Sequence, residues 1–364
     1  MWFSEKDISK FHFEPIYLHN LHGYVLPHAG TSHTGHILAH SLRFQPTKKF
    51  TYILIIYLPS GKNHNVHDNV NNIHYFHEYY VPYKTLQMYF PTKKYIGYNM
   101  LSKSNPDLSS FSLKNTLFVI SADFSHFLDL QTAIHLENCA AHSLMHKNLN
   151  SKLDCIKVID HANSFSKLYE LLPEIILQWI GRTRSSGLKG VGYLSFLLRT
   201  KPNLKLVKPD AFFVTAYDEE MKQRECLGNV KTWNKTLEKD MIKKVINNAR
   251  TTSRLTGGIG LHIPVKYYSI TYLYKDKIHS FIRGWHGIQK NALYLPDVFL
   301  ENTFNNGKWI QSSNVEWPRN NNFNMTNTNK KLNSKAGYIS KNNYILYSSE
   351  VIHKKIETSN IIKC

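Results

Sequence analysis

The chain has 364 residues, with 45 Lys and Arg against 26 Asp and Glu, a formal charge of +19, 20 histidines and 4 cysteines. At roughly 150 residues per domain this length predicts two domains, and a hydrophobic content of 42% excludes a disordered basic tail. No apolar run approaches the about 20 residues of a membrane helix, and MWFSEKDISKFHFE has neither the apolar core nor the cleavage site of a secretory signal, so a soluble, cytoplasmic protein is expected.

In chain order, Tyr24 to Pro27 read as a strand end, and His36 to Phe44 as a helix after a Gly-containing loop. Phe50 to Leu58 (FTYILIIYL) has the near-continuous β-branched run of a strand buried on both faces. A polar loop, PSGKNHNVHDNVNN, follows it. Thr116 to Ser121 (TLFVIS) predicts a second buried strand, and Leu130 to Leu149 a helix. Phe165 to Ile180 and Val191 to Arg199 read as amphipathic helices, and Ala211 to Ala216 as the strand that closes this half. Met221 to Trp233 is charged and weakly patterned, which places a linker near Gly228 and domains at 1–228 and 229–364. Beyond it come an amphipathic helix over Thr236 to Leu255, a strand over Tyr267 to Tyr274, and a flexible loop over Asn320 to Lys331. Alternating strands and helices predict an α/β class fold for the first domain.

The basic residues are scattered, and Lys, Asn, Ile and Tyr are all plentiful, so the charge reads as compositional bias and not as a nucleic-acid arm. YKTLQMYFPTKKYIGY (Tyr83 to Tyr98) interleaves basic and aromatic side chains, but it is better explained as an ordinary strand and loop. The cysteines Cys139, Cys155, Cys226 and Cys364 form no CxxC pair, which excludes a zinc ribbon and argues against a disulfide framework in an intracellular chain.

Chemistry concentrates at the predicted strand ends, where ligand sites of open α/β sheets gather. PHAGTSHTG (Pro27 to Gly35), the His-containing loop after Leu58, and SADFSHF (Ser121 to Phe127) each offer an imidazole, the usual ligand of iron, copper and zinc. Asp123 stands three residues before His126, placed to orient a ligand. With 20 histidines some end strands by chance, and His33, His36, His40, His135, His142 and His146 read as incidental.

PHAGTSHTG followed by a helix, then SADFSHF after a buried strand, resembles the Memo family, whose motifs have the form PHAGYxYSG and SSDFSHY. ILIIYLPSGKNH and YYVPYKTL (Tyr79 to Leu86) extend the likeness, which spans residues 20 to about 217. The resemblance implies a layered α/β/α dioxygenase-like domain that holds a metal, iron or copper, through three histidines and in some members a cysteine. Carried over by motif, the ligands are His28, His126 and, across an insertion, His64 or less readily His67. Ser186, in SGLKGVG, stands where the family has its cysteine.

In the second half, RGWHGIQKNALYLPDV resembles the AMMECR family's GxHGI and TYLPEV segments, and SKAGYISKN (Ser334 to Asn342) its RKAGY segment. The likeness implies a smaller α+β domain, internally shortened. Gly284, His286 and Gly287 then form a tight turn, and Tyr294, Leu295 and Pro296 pack a core. Memo-like and AMMECR-like modules occur together with a radical-SAM protein, which implies a functional link to one. The leading expectation is a metal-binding redox protein, a dioxygenase-like oxidoreductase if an enzyme. The alternative is a non-enzymatic module that binds a protein or peptide partner around a degenerate metal site.

Overall fold

The computed structural model describes residues 2–59, 76–186, 189–204, 207–229, 233–251, 264–279, 281–282, 284–289, 293–301 and 345–356. They form a mixed α/β protein built on two six-stranded sheets and a two-stranded one. In chain order the first half runs α1 (Glu5–Ser9), β1 (Ile16–Leu18), β2 (Leu21–Leu26), α2 (Thr31–Leu42), β3 (Phe44–Pro46), β4 (Tyr52–Tyr57), α3 (His77–Tyr89), β5 (Lys94–Asn99) and β6 (Thr116–Ser121). It continues with α4 (Leu130–Met145), α5 (Asp154–Lys157), α6 (Ala162–Leu171), β7 (Ile176–Arg184) and β8 (Gly192–Arg199).

The first large sheet has the order β5-β4-β6-β2-β8-β7. Strands β5, β4, β6 and β2 are mutually parallel, and β8 runs antiparallel to both β2 and β7. Ile53 to Ile56 of β4 and all of β6 are buried, as expected of β-branched strands covered on both faces. Register pairs Leu26 at the end of β2 with Ser121 at the end of β6. The PHAG and SADFSHF loops therefore leave the sheet side by side.

Two segments differ from the helical reading. Helix α6 stops at Leu171 and the chain turns into β7 at Ile176, while Val191 to Arg199 forms strand β8. Every residue of β7 and β8 is buried. Fully buried strands lose the polar alternation that marks a strand, so a Leu-rich run such as GYLSFLLR matches a helix equally well. Tyr83 to Tyr98 is the end of α3, a turn and β5, in place of the expected strand and loop.

The second compact unit comprises His142–Asn148, Lys201–Phe299 and the C-terminal strand. Its elements are β9 (Ala211–Asp218), β10 (Gln223–Asn229), α7 (Lys235–Thr251), β11 (Val265–Asp276), β12 (His286–Gln289), β13 (Leu293–Tyr294), α8 (Pro296–Glu301) and β14 (Ile345–Lys355). The sheet order is β10-β9-β11-β14-β12-β13, antiparallel throughout. The Ala211 strand thus belongs to this sheet and does not close the first one. The charged segment read as a linker is β10, so Gly228 lies within a strand. Its side chains are mostly half-exposed, as on any edge strand, which removed the apolar signal.

The cysteines also depart from expectation: Cys139 of α4 and Cys155 of α5 are joined in a disulfide. They lie 16 residues apart, a spacing that matches no short motif. Among the described residues no helix is long and apolar enough to cross a membrane.

Candidate metal centre

His28 follows β2 and is 2% exposed. Its backbone N–H donates to Asp123 Oδ1 at 3.0 Å, tying the PHAG loop to the loop after β6. The Ser121 hydroxyl donates its one proton to the Glu78 carbonyl oxygen. It therefore accepts at its remaining contact, from His28 Nδ1–H at 3.0 Å. This fixes the tautomer: with Nδ1 protonated, the lone pair of the neutral ring sits on Nε2.

Nε2 faces two carboxylates, Asp123 Oδ2 and Asp160 Oδ2, each at 3.6 Å. Asp160 belongs to the turn between α5 and α6, held by a 3.0 Å bond from its N–H to the Asp123 carbonyl. Next to it, His161 Nδ1 lies 3.3 Å from Asp160 Oδ1. His161 is in the left-handed region, at φ 67° and ψ 39°, and immediately precedes α6. Such a conformation costs about 1 kcal/mol or more for a residue with a Cβ and is concentrated at functional sites. The buried Nε2 of His161 has no hydrogen-bond partner among the described residues.

His28, Asp160 and His161 thus offer one donor atom each within 4.8 Å of one another, enough to hold a metal ion. Two imidazoles and a carboxylate suit a borderline cation such as iron or zinc better than magnesium or calcium, which prefer all-oxygen shells. The orphaned His161 nitrogen fits the same occupant, which would replace the proton that His28 Nε2 shares with Asp160.

The electrostatics separate the two acids. Burial pushes the Asp123 carboxyl up, partly offset by the charge and backbone N–H of His28. Burial also opposes ionisation of Asp160, but there hydrogen bonding to His28 and the nearby imidazoles outweigh it and hold Asp160 below the usual carboxylate range. For His28, burial favours the neutral ring, yet Asp123, Asp160 and Glu78 together raise it above 6.5. Burial holds His161 down at about 4. Asp160 is therefore ionised at neutral pH and His161 is neutral.

Around this group the rings run outward. The His77 ring lies 5.4 Å from His28 and stacks on Trp2 at 4.2 Å between centroids, and Trp2 is exposed. Glu78, buried beside His77, has Oε2 3.4 Å from His77 Nδ1.

Of the residues named from motifs, His28 is in the donor group. Asp123 lies on the ligand side of the His28 ring, and Ser121 holds the ring from behind. His126 is exposed and bridges to Val191. It is not among the three donors of the His28 group. Ser186 is exposed; His64 and His67 lie outside the described residues. Asp160 and His161 escaped the sequence reading because DHAN follows a short helix instead of an apolar strand. An acid–imidazole pair just ahead of a helix was the available signal.

A buried ionic cluster braces the loop after β6. Arg182 Nη2 donates to Glu137 Oε2 at 2.6 Å and Arg184 Nη1 to Oε1 at 3.0 Å, with all three side chains fully buried. The Ser125 hydroxyl also donates to Glu137 Oε1. Gly192 packs here because a Cβ at that position would collide with Glu137 Oε1 and crowd Ser125 Oγ, 2.9 Å away.

In the second unit, His286 is fully buried, accepting from Ile282 N–H through Nδ1 at 2.9 Å. Its Nε2–H therefore donates to Asp276 Oδ2 at 3.0 Å. Gly284 beside it has φ 74°, which glycine adopts without strain, and Gly287 Cα faces the Tyr294 carbonyl across β12–β13. Tyr294 packs on Phe281, Ile288, Phe299 and Leu346, Leu295 on Ala211, Leu273 and Tyr347, and Pro296 opens α8.

No protein-family model matches this chain, and no curated protein matches it either.

Proposed function

We propose that the chain is a mononuclear non-haem metalloprotein of oxidoreductase type, with His28, Asp160 and His161 holding one iron ion. The observation that carries this reading is the donor set: two imidazoles and one carboxylate, all within 4.8 Å. Two histidines and a carboxylate on one face of an ion, with further positions open, are the ligation of non-haem iron oxygenases. Of iron and copper, this set favours iron. When bound, the metal supplies an open position for a substrate oxygen or dioxygen and a source of electrons.

The protein's own groups do the rest. Ser121 fixes the His28 ring so that Nε2 faces Asp160 and would be the ligating nitrogen. Asp160 supplies the ligand charge. Asp123, whose carboxyl burial pushes up, is placed to take up a proton at Oδ2, 3.6 Å from His28 Nε2. His77 and Trp2 flank the outer side with rings suited to a flat, apolar or aromatic substrate. The Memo-like motifs support this reading at His28, and Asp160 and His161 are the further ligands proposed. The fusion to an AMMECR-like unit, with its implied link to a radical-SAM protein, belongs to the same proposal.

The test is anaerobic loading with Fe(II), followed by metal analysis and oxygen uptake, in wild type and in His161→Ala. One iron per chain and iron-dependent oxygen uptake in wild type, both lost in the variant, are expected. Equal, near-zero metal in both proteins would leave the non-enzymatic binding module as the better description.

A further inference from the structure

We propose that His279, in the turn after β11, is a phosphoryl-acceptor site whose Nε2 takes a phosphoryl group from a phosphoramidate-class donor. Asp276 ends β11, His286 opens β12, and His279 lies between them in the chain. All three belong to the second compact unit.

The hydrogen bonds of this group fix its protons. His286 is fully buried and accepts from the Ile282 N–H through Nδ1, so its Nε2–H donates to Asp276 Oδ2 at 3.0 Å. Asp276 Oδ1 accepts from the backbone N–H groups of Ile278 and His279, at 2.9 and 3.0 Å. Burial opposes the charge on Asp276, but the bonds from His286, Ile278 and His279 outweigh it and hold the carboxyl below the usual carboxylate range. The same Oδ2 lies 2.9 Å from His279 Nδ1, which therefore donates to it. In the neutral His279 ring the lone pair then sits on Nε2.

That nitrogen makes no hydrogen bond among the described residues, and the His279 side chain is 29% exposed. An imidazole with an anion on Nδ1–H and an open Nε2 is the arrangement that makes histidine a base or a nucleophile. Lys275 and Lys277 flank Asp276 in the chain, and both are exposed. Their charge draws an anionic donor to this turn and favours phosphoryl over neutral acyl groups. In the transfer, the Nε2 lone pair forms a bond to phosphorus while the donor's P–N bond breaks. The electron pair of that bond leaves on the donor nitrogen, which departs as the amine. Asp276 meets the positive charge that develops on the ring, and Nδ1 keeps its proton.

The full-length chain is incubated with phosphoramidate in metal-free buffer. Peptide mass spectrometry locates the phosphoryl group, and phosphorus NMR tells which ring nitrogen carries it. His12, His19 and His33 are exposed and have no carboxylate partner among the described residues, so they serve as references within the same chain. His279 should be phosphorylated roughly tenfold or more faster than these, on Nε2 alone. His279→Gln should lose the fast product, and Asp276→Ala, which frees Nδ1, should slow it to the reference rate and give both ring isomers. A His279 no faster than the references, or a wild-type product on Nδ1, would overturn the proposal. The wild-type comparison decides the matter even where Asp276→Ala unfolds the chain, which far-UV circular dichroism checks. The outcome is independent of the iron reading, since no metal takes part.

Discussion

The Ser121 hydroxyl stands between the Glu78 carbonyl, to which it donates, and His28 Nδ1, from which it accepts at 3.0 Å. One side chain at the end of β6 thus decides which nitrogen of a residue after β2 can face an ion. Parallel pairing of Leu26 with Ser121 makes this possible. Ser121→Ala removes the acceptor without changing any proposed ligand. Partners of this kind are typically worth 10–100-fold in metal affinity, so iron binding should weaken by that factor while the fold persists. Isothermal titration with Fe(II) or a Co(II) surrogate measures it; an unchanged affinity would detach Ser121 from the site.

Proton competition gives metal binding a definite sign with pH. His28 is raised above 6.5, so the folded chain binds this proton more tightly than the unfolded chain. The stability it contributes is full below about 6.5 and fades as pH rises through the raised value. An ion taking the Nε2 lone pair must displace the same proton. Affinity should therefore climb with pH, about tenfold per unit below the raised value when one proton leaves per ion. Binding isotherms at pH 6.0, 7.0 and 8.0 check the slope, and His28→Ala should flatten it.

Buried neutral histidines act in the opposite direction on stability. Burial, with Lys10 assisting, holds His36 at about 3, and burial with the neighbouring His353 and His142 holds His146 well down. Below pH 6.5 the unfolded chain takes up protons that the folded chain refuses. Stability then falls with pH by up to about 1.4 kcal/mol per unit for each such group. Urea midpoints at pH 7.5 and pH 5 should differ accordingly; equal midpoints would contradict the burial of these rings as neutral groups.

The Arg182–Glu137–Arg184 cluster gives a further prediction. Glu137→Gln keeps the shape but leaves two buried guanidinium groups without their shared anion. Breaking a buried pair in this way costs about 3 kcal/mol or more. Denaturant unfolding reads the loss. Because Ser125 also donates to Glu137, the loop carrying Asp123 should loosen, which faster amide hydrogen exchange at 122–127 would register.

What the sequence made legible follows from how each signal arises. Strands β4 and β6 announce themselves because β-branched runs buried on both faces have few other readings, and His28 follows because it ends a strand beside a glycine. Strand β8 was opaque for the converse reason, since GYLSFLLR carries leucines that suit a helix until Arg199 and Gly192 find buried partners. Asp160 and His161 were hidden because their acid–imidazole pair, though just ahead of α6, follows a short helix and not an apolar strand. The tertiary bond from the Asp160 N–H to the Asp123 carbonyl holds them beside His28.

The Cys139–Cys155 disulfide ties the middle of α4 to α5, five residues before Asp160. The loop it closes spans 16 residues. Closing a loop of that size removes unfolded-state entropy equivalent to about 3 kcal/mol, on the chain-entropy account. Reduction should lower the unfolding midpoint correspondingly. It should also weaken metal binding at the His28 group, because the turn bearing Asp160 and His161 would then be held mainly by the Asp123 backbone contact. Alkylation in denaturant tests the bond directly: among the described cysteines, Cys226 should be labelled without reductant, and Cys139 and Cys155 only after reduction. Labelling of Cys139 and Cys155 without reductant would show two thiols there. In that case the turn's rigidity must come from packing of Cys155 and Ile156, both buried, and reductant should leave metal affinity unchanged.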